Sequence, residues 1–229
     1  MKKEQYDIKG VIFDLDGTLL DSMWVWEKVD ERFLGRRGFD VPADYQRAIA
    51  AMGFLETAEY TIERFGLQEK PEDVIQEWNE MVKHMYHEEV GIKPFVRELL
   101  EDFRQRGLRM GIATASYASL FVECLKRNGV YDYFHSFTET SEVSRGKGFP
   151  DIYIKAAEKL GFAPNECAVF EDLHQGIAAA REAGFYTVGV YEERMAFSWA
   201  QIKQDADAAI HGFEEAMGSF KLDEYPKVM

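Results

Sequence analysis

Gly10-Val-Ile-Phe-Asp-Leu-Asp-Gly-Thr-Leu-Leu-Asp-Ser22 is the stretch from which the rest of the chain can be read. Val11 to Phe13 forms a short apolar strand that runs into two carboxylates and then a Gly-Thr turn. Residues two apart on a strand share a face, so Asp14 and Asp16 point into one space if the extended geometry lasts that far. Gly17 allows the backbone to turn sharply straight afterwards. Two acids at the end of a buried strand repel each other and are costly to desolvate without a positive partner. A hard cation with oxygen ligands, such as Mg²⁺, answers both problems. A plain Asp-rich turn that ends a strand fits the same residues.

Downstream of this stretch the pattern is helical. The periodicity predicts helices over Trp24 to Arg37, Pro42 to Met52, Leu55 to Phe65 and Pro71 to His87. Pro71 suits a first turn, with acids beside it. This block, residues 21–91, lacks strand–helix alternation and reads as an inserted helical subdomain. Residues 1–20 and 92–229 then form the core domain.

From Gly91 the pattern changes. Phe95, Val96, Leu99, Leu100 and Phe103 share one face of a helix over Pro94 to Arg106. Strands are predicted at Leu108 to Ala113, Tyr133 to Phe137, Cys167 to Phe170, Tyr186 to Val190 and Ala208 to Ile210. Helices alternate with them at Tyr117 to Asn128, Pro150 to Leu160 and Gln175 to Ala183. The fold class is α/β: a Rossmann-like parallel sheet with helices on both faces and a helical insert. In such sheets ligands bind outside the carboxyl ends of the strands.

Chemistry-bearing residues recur at those ends. Thr114, Ala115 and Ser116 lead into a helix start, where amides and hydroxyls make an anion site; helix capping alone also explains Ser116. Lys147, between glycines, can reach the crevice as a compact cation or stand solvated in its loop. Glu171 and Asp172 are a second acidic pair at a strand end; they equally suit the N-terminus of the following helix. Taken together these groups form a metal-plus-phosphate site in which carboxylates hold Mg²⁺ while Lys147 and the Thr114 region neutralise phosphoryl oxygens. A carboxylate nucleophile can divide such a reaction through an aspartyl-phosphate.

Composition narrows the partners. The chain has 229 residues, 46% hydrophobic, enough for one large domain or a domain with an insert. A net charge of −14 argues against nucleic acid and anionic membranes, so an anionic substrate needs a local positive site. No apolar run approaches the ~20 residues of a membrane span. Met1-Lys2-Lys3-Glu4 is followed by too short an apolar run for a signal peptide. Cys124 and Cys167 lie in apolar segments and read as reduced, buried thiols. The expected setting is cytoplasmic, the partner a small phosphate ester, and the assembly a monomer or weak dimer.

Asp14-Leu-Asp-Gly-Thr18, Thr114 after an apolar strand, Lys147, and Phe170-Glu-Asp172 followed by Gly176-Ile-Ala-Ala-Ala and Ala183-Gly184 resemble the four ordered motifs of the haloacid dehalogenase superfamily. The 21–91 insert resembles the helical cap of its β-phosphoglucomutase-like subgroup. The resemblance implies a Mg²⁺-dependent active site between core and cap. It implies Asp14 as nucleophile and Asp16 as general acid and base, the latter also a metal ligand through its carbonyl. Asp14 and Asp172 would be side-chain metal ligands, and Glu171 a ligand or a partner through water. Thr114, the amides of Ala115 and Ser116, and Lys147 would bind the phosphoryl group. Dehalogenases and phosphonatases of the superfamily lack an acid at the place of Asp16, which points this chain to phosphate esters.

Some positions depart from the subgroup. Leu173 stands where Ser is common, and Gly148 where Pro is common. Trp26 and Glu56 occupy the positions of a His and an Arg that serve the mutases. Simple hydrolysis of a phosphorylated metabolite therefore ranks above the mutase reaction. A phospho-acceptor signalling domain ranks last, because receiver domains lack a helical insert and have a different acidic pattern. Met23, Trp24 and Trp26 follow the catalytic loop, and Trp24 and Trp26 are the candidates for substrate specificity. Packing among cap helices is the competing role for both.

Overall fold

Gly10–Phe13 (β1) is buried along its whole length and lies at the centre of a parallel sheet. The computed structural model describes residues 7–49, 52 and 54–219, and the chain divides into two units. One runs to Asp21 and resumes at Gly91; the other is Ser22–Val90. The N-terminal residues Met1 to Glu4 lie outside the described residues.

In the first unit β1 is followed by Leu20–Asp21 (β2). The second unit holds Val25–Gly35 (α1), Tyr45–Ile49 (α2), Phe54–Phe65 (α3) and Pro71–Glu88 (α4). The chain re-enters the first unit at Gly91–Ile92 (β3) and continues through Val96–Gln105 (α5), Arg109–Thr114 (β4), Ala118–Arg127 (α6) and Ser136–Glu139 (β5). Asp151–Leu160 (α7), Cys167–Glu171 (β6), His174–Glu182 (α8) and Tyr186–Val190 (β7) follow, then Trp199–Asp205 (α9), Ala208–Ile210 (β8) and Phe213–Ser219 (α10).

The main sheet has six strands in the order β5-β4-β1-β6-β7-β8, every neighbouring pair parallel. From β1 the chain builds outward through β4 and β5, then returns to the other side of β1 for β6, β7 and β8. The strand order therefore reverses at β1, and a crevice opens at its carboxyl end between β4 and β6. β2 and β3 form a separate antiparallel ribbon from which the second unit leaves and to which it returns.

Alternation along β1 divides the core. Ile12 packs with Val169 and Ala113 against Ile152, Tyr153, Ala156 and Leu160 of α7 and Ala180 of α8. Phe13 faces the other way. Its ring lies 4.9 Å from that of Phe170 and 6.3 Å from that of Phe103 on α5, and Phe170 meets Phe213 of α10 at 6.3 Å. Helices thus cover both faces, as a parallel sheet requires. Cys124 and Cys167 are buried thiols that form no disulfide with each other.

In the second unit, Phe33 of α1 packs edge-on to Trp78 of α4 at 5.4 Å. Arg37 lies 3.6 Å over the Phe33 ring and ion-pairs with Glu69 and Glu77. Buried Tyr45 and Thr61 share a hydroxyl hydrogen bond of 2.7 Å, joining α2 to α3. The helix predicted over Pro42 to Met52 is shorter, running over Tyr45–Ile49; Ala50 and Ala51 lie outside the described residues. The strand predicted from Tyr133 begins at Ser136, because Tyr131–Tyr133 closes a 3-10 turn first. Helices α9 and α10 were not anticipated.

Phe170 sits among three aromatic rings with no solvent contact, so Phe170→Ala leaves a cavity that its neighbours cannot close. The substitution should cost about 3–5 kcal/mol, read as a lower urea midpoint with unchanged slope. A loss below ~1 kcal/mol would contradict this packing.

Candidate active site

The site is built on the reversal point of the sheet. β1 ends at Phe13, but the amide of Asp14 still donates to the Phe170 carbonyl at 3.0 Å. The Asp14 carboxylate therefore projects from sheet-held backbone. The extended geometry stops there. Thr18 and Leu20 both donate backbone hydrogen bonds to the Leu15 carbonyl, at 3.2 and 2.8 Å, and Gly17 takes a φ of 83°. The condition for a shared strand face, extended geometry lasting to Asp16, is thus not met. Asp16 therefore lies in the turn, and its Oδ2 accepts from the Ser116 hydroxyl at 2.5 Å. Its charge still acts on Asp14.

Carboxylates from distant parts of the chain converge instead. Ligand atoms of Asp14, Glu171 and Asp172 lie within 4.8 Å of one another, and all three residues are buried. Glu171 closes β6 and Asp172 follows it, so β1 and β6, paired in parallel, bring their acids together. Lys147 enters from the loop before α7. Its ammonium donates to Asp14 Oδ1 and, at 2.9 Å, to Glu171 Oε2.

The acids differ in how they are held. Glu171 Oε2 also accepts from the Tyr153 hydroxyl of α7 at 2.8 Å, and Oε1 from the Leu173 amide at 3.2 Å. Asp172 Oδ1 accepts from the Thr18 hydroxyl at 3.0 Å. Asp172 Oδ2 is buried with no hydrogen-bond partner among the described residues. Gly176 permits this crowding. A Cβ there would lie 2.5 Å from the Tyr153 hydroxyl and 2.8 Å from Glu171 Cγ, so any side chain would push α8 off the site.

The electrostatics follow from three buried carboxylates facing one ammonium. Burial, and then the charge of Glu171, push the Asp14 carboxyl up to about 7, although Lys147 pulls the other way. Burial, followed by the charges of Asp14 and Glu171, also raises the Asp172 carboxyl well above the ordinary range. Burial works to discharge Lys147, but Asp14 and Glu171 outweigh it and hold its ammonium above the usual value. Burial and the Glu171 charge raise the Tyr153 phenol, which stays a donor.

This donor set fits a hard divalent cation. The carboxyl oxygens are crowded, and among the described residues one of them has no hydrogen-bond partner and Lys147 alone faces the three acids. Asp14, Glu171 and Asp172 are the side chains that can hold such an ion.

The phosphate-side candidates lie on the neighbouring strand end. Thr114 closes β4 fully buried, and its Oγ1 accepts from the Ser116 amide at 3.0 Å. Ala115, between them, is exposed before α6. Trp24 and Trp26 belong to the second unit: Trp24 is half-buried just before α1, and Trp26 on α1 is 44% exposed. Sequence reasoning named every member of the acid cluster and Lys147. It missed Tyr153, which looks like any core aromatic on a helix face, and gave Thr18 no task.

Comparison with known proteins agrees with this geometry. The family of haloacid dehalogenase-like hydrolases matches residues 11–190. A phosphorylated carbohydrates phosphatase from Thermotoga maritima is 28% identical over 77% of this chain and 82% of its own length. The fructose-1-phosphate phosphatase YqaB from Escherichia coli is 30% identical over 79% of this chain and 95% of its own. A crystal structure from Thermotoga maritima, provisionally named a beta-phosphoglucomutase, superposes with a TM-score of 0.81 at 26% identity. That alignment covers 93% of this chain and 99% of the other. The buried acid–lysine cluster at the reversal of a parallel sheet thus sits in a chain that belongs to the haloacid dehalogenase-like hydrolases.

Proposed function

We propose that this enzyme hydrolyses a small phosphorylated metabolite, of the sugar-phosphate kind, through a phosphorylated Asp14. Asp14 attacks phosphorus, and the ester oxygen leaves with a proton from Asp16. Water then attacks the aspartyl-phosphate, giving its proton to Asp16, and inorganic phosphate departs with Asp14 restored. Lys147, Thr114 and the amides of Ala115 and Ser116 hold the phosphoryl oxygens. Mg²⁺ held by Asp14, Asp172 and the Asp16 carbonyl, with Glu171 as a further ligand or a partner through water, would supply positive charge against those oxygens. The core domain, 1–20 and 92–229, would carry the chemistry and the 21–91 cap the specificity, with Trp24 and Trp26 as the candidates to meet the non-phosphoryl part of the substrate.

The observation that carries this reading is the Lys147 ammonium bridging Asp14 and Glu171 beside the unpartnered Asp172 oxygen, in a chain of a hydrolase family. The alternative is transfer of phosphate within a sugar phosphate, suggested by the name of the superposed structure. Trp26 and Glu56, where a mutase offers His and Arg, favour hydrolysis. NMR of β-glucose 1-phosphate with a bisphosphate primer decides between them, since a mutase yields glucose 6-phosphate and a phosphatase yields glucose and phosphate.

Purified protein with Mg²⁺ should release phosphate from p-nitrophenyl phosphate and from members of a sugar-phosphate panel, and EDTA should stop it. Asp14→Asn should lower kcat by roughly a thousandfold or more. No release across the panel would end this reading. Independently of turnover, Mg²⁺ should raise the thermal midpoint, by about 2.7 kcal/mol of stability at a hundredfold excess over Kd. Asp172→Asn should abolish that shift; a wild-type-sized shift in this variant would remove Asp172 from the ligand set. Trp26→Ala should raise KM for the preferred ester several-fold while leaving kcat for p-nitrophenyl phosphate within about twofold.

A further inference from the structure

Lys93 is a part-buried cation close to the site yet outside the acid cluster. Its side chain is 14% exposed, and it lies one residue after β3, where the chain has just re-entered the first unit. Its ammonium donates to three acceptors: the Gly17 carbonyl, the Tyr191 carbonyl at 3.3 Å and Glu192 Oε2 at 2.7 Å. Its own amide donates to the Leu19 carbonyl at 2.8 Å. Glu192 is itself buried, and its other oxygen accepts from the Arg194 amide at 3.3 Å. An ammonium has three hydrogens, and all three are directed at protein oxygens.

These contacts tie two loops together at the carboxyl edge of the sheet, one after β1 and one after β7. A long lysine could keep its charge in water, so the enclosed position is not the default. The acceptor from the first loop is also significant. Gly17 lies between Asp16, which is bonded to Ser116, and Thr18, which is bonded to Asp172. Glycine is the most permissive backbone residue, and Gly17 sits at positive φ. The turn has backbone hydrogen bonds of its own, and the Lys93 ammonium adds an anchor from outside it.

We infer that Lys93, paired with Glu192, is a positioning residue that holds the Asp16-Gly17-Thr18 turn so that the Asp16 carboxyl meets the leaving oxygen. Lys93 touches no reacting atom; it acts through the Gly17 carbonyl. The inference rests on the proposed role of Asp16 as proton donor.

That role makes a test selective. An alkyl phosphate needs a proton on its departing oxygen, whereas p-nitrophenolate leaves without one. The values of kcat/KM, which report the phosphorylation of Asp14, are measured for p-nitrophenyl phosphate and for the alkyl phosphate that wild type cleaves fastest in the panel. Lys93→Met should lower the alkyl value by roughly 10–100-fold and the p-nitrophenyl value by less than about threefold. Lys93→Arg, which keeps charge and donors, should recover most of the difference. Glu192→Gln should show the same selectivity in weaker form, and it supplies the ratio if Lys93→Met does not fold.

An equal fall on both substrates makes Lys93 a structural residue only, and no fall on the alkyl ester removes it from the reaction; either result overturns the inference. Failure of wild type on every alkyl phosphate overturns the phosphatase reading instead, so the two failures are told apart.

Discussion

One lysine ammonium enclosed by carboxylates is the constraint on which the rest of the site depends. Lys147 offsets part of the repulsion among Asp14, Glu171 and Asp172, but one cation cannot balance three buried acids. Burial and mutual repulsion raise Asp14 and Asp172, and one Asp172 oxygen has no hydrogen-bond partner among the described residues. Such a cluster is electrostatically unfinished, and this makes it receptive to a divalent cation and a phosphoryl group. The fold tolerates it because the acids stand at strand ends, where sheet hydrogen bonds hold the backbone whatever the side chains carry.

The arrangement also explains the supporting residues. Tyr153 and the Leu173 amide occupy Glu171, while Thr18 occupies one side of Asp172. Tyr153 and the Leu173 amide fix Glu171 as it meets Lys147, and Thr18 fixes the orientation of Asp172. Gly176 keeps α8 close enough for this to happen, and there a methyl group would collide with both Tyr153 and Glu171. The crevice at the reversal of strand order is where a parallel sheet of this kind accepts ligands, so packing and chemistry have the same geometric origin.

Most of the fold was legible in the residues because the signals are local. Short apolar runs, and amphipathic helices between them that end at glycine, mark the alternation over Arg109–Val190 without any partner being known. The parts that were not legible depend on distant partners. The helices Trp199–Asp205 and Phe213–Ser219 are short, and the second takes its meaning from Phe170, forty residues and more away in the chain. The strand at Ser136–Glu139 was displaced by a 3-10 turn that propensity did not announce.

The candidate site shows the same division. Residue type and order were enough to single out Asp14, Asp16, Lys147, Glu171 and Asp172, because few other tasks combine acids, hydroxyls and a lysine at successive strand ends. Only the folded chain placed Asp14 on sheet-held backbone and Asp16 in the turn after it, since the turn at Leu15 and Gly17 is a matter of backbone dihedrals rather than residue spacing. Only the folded chain revealed Tyr153, Thr18, Lys93 and Glu192, whose importance lies in contacts across as many as 154 positions of sequence. The chemical inventory was written in the linear chain. The allocation of each hydrogen bond was settled by packing, because a donor's partner is the acceptor that burial leaves within reach.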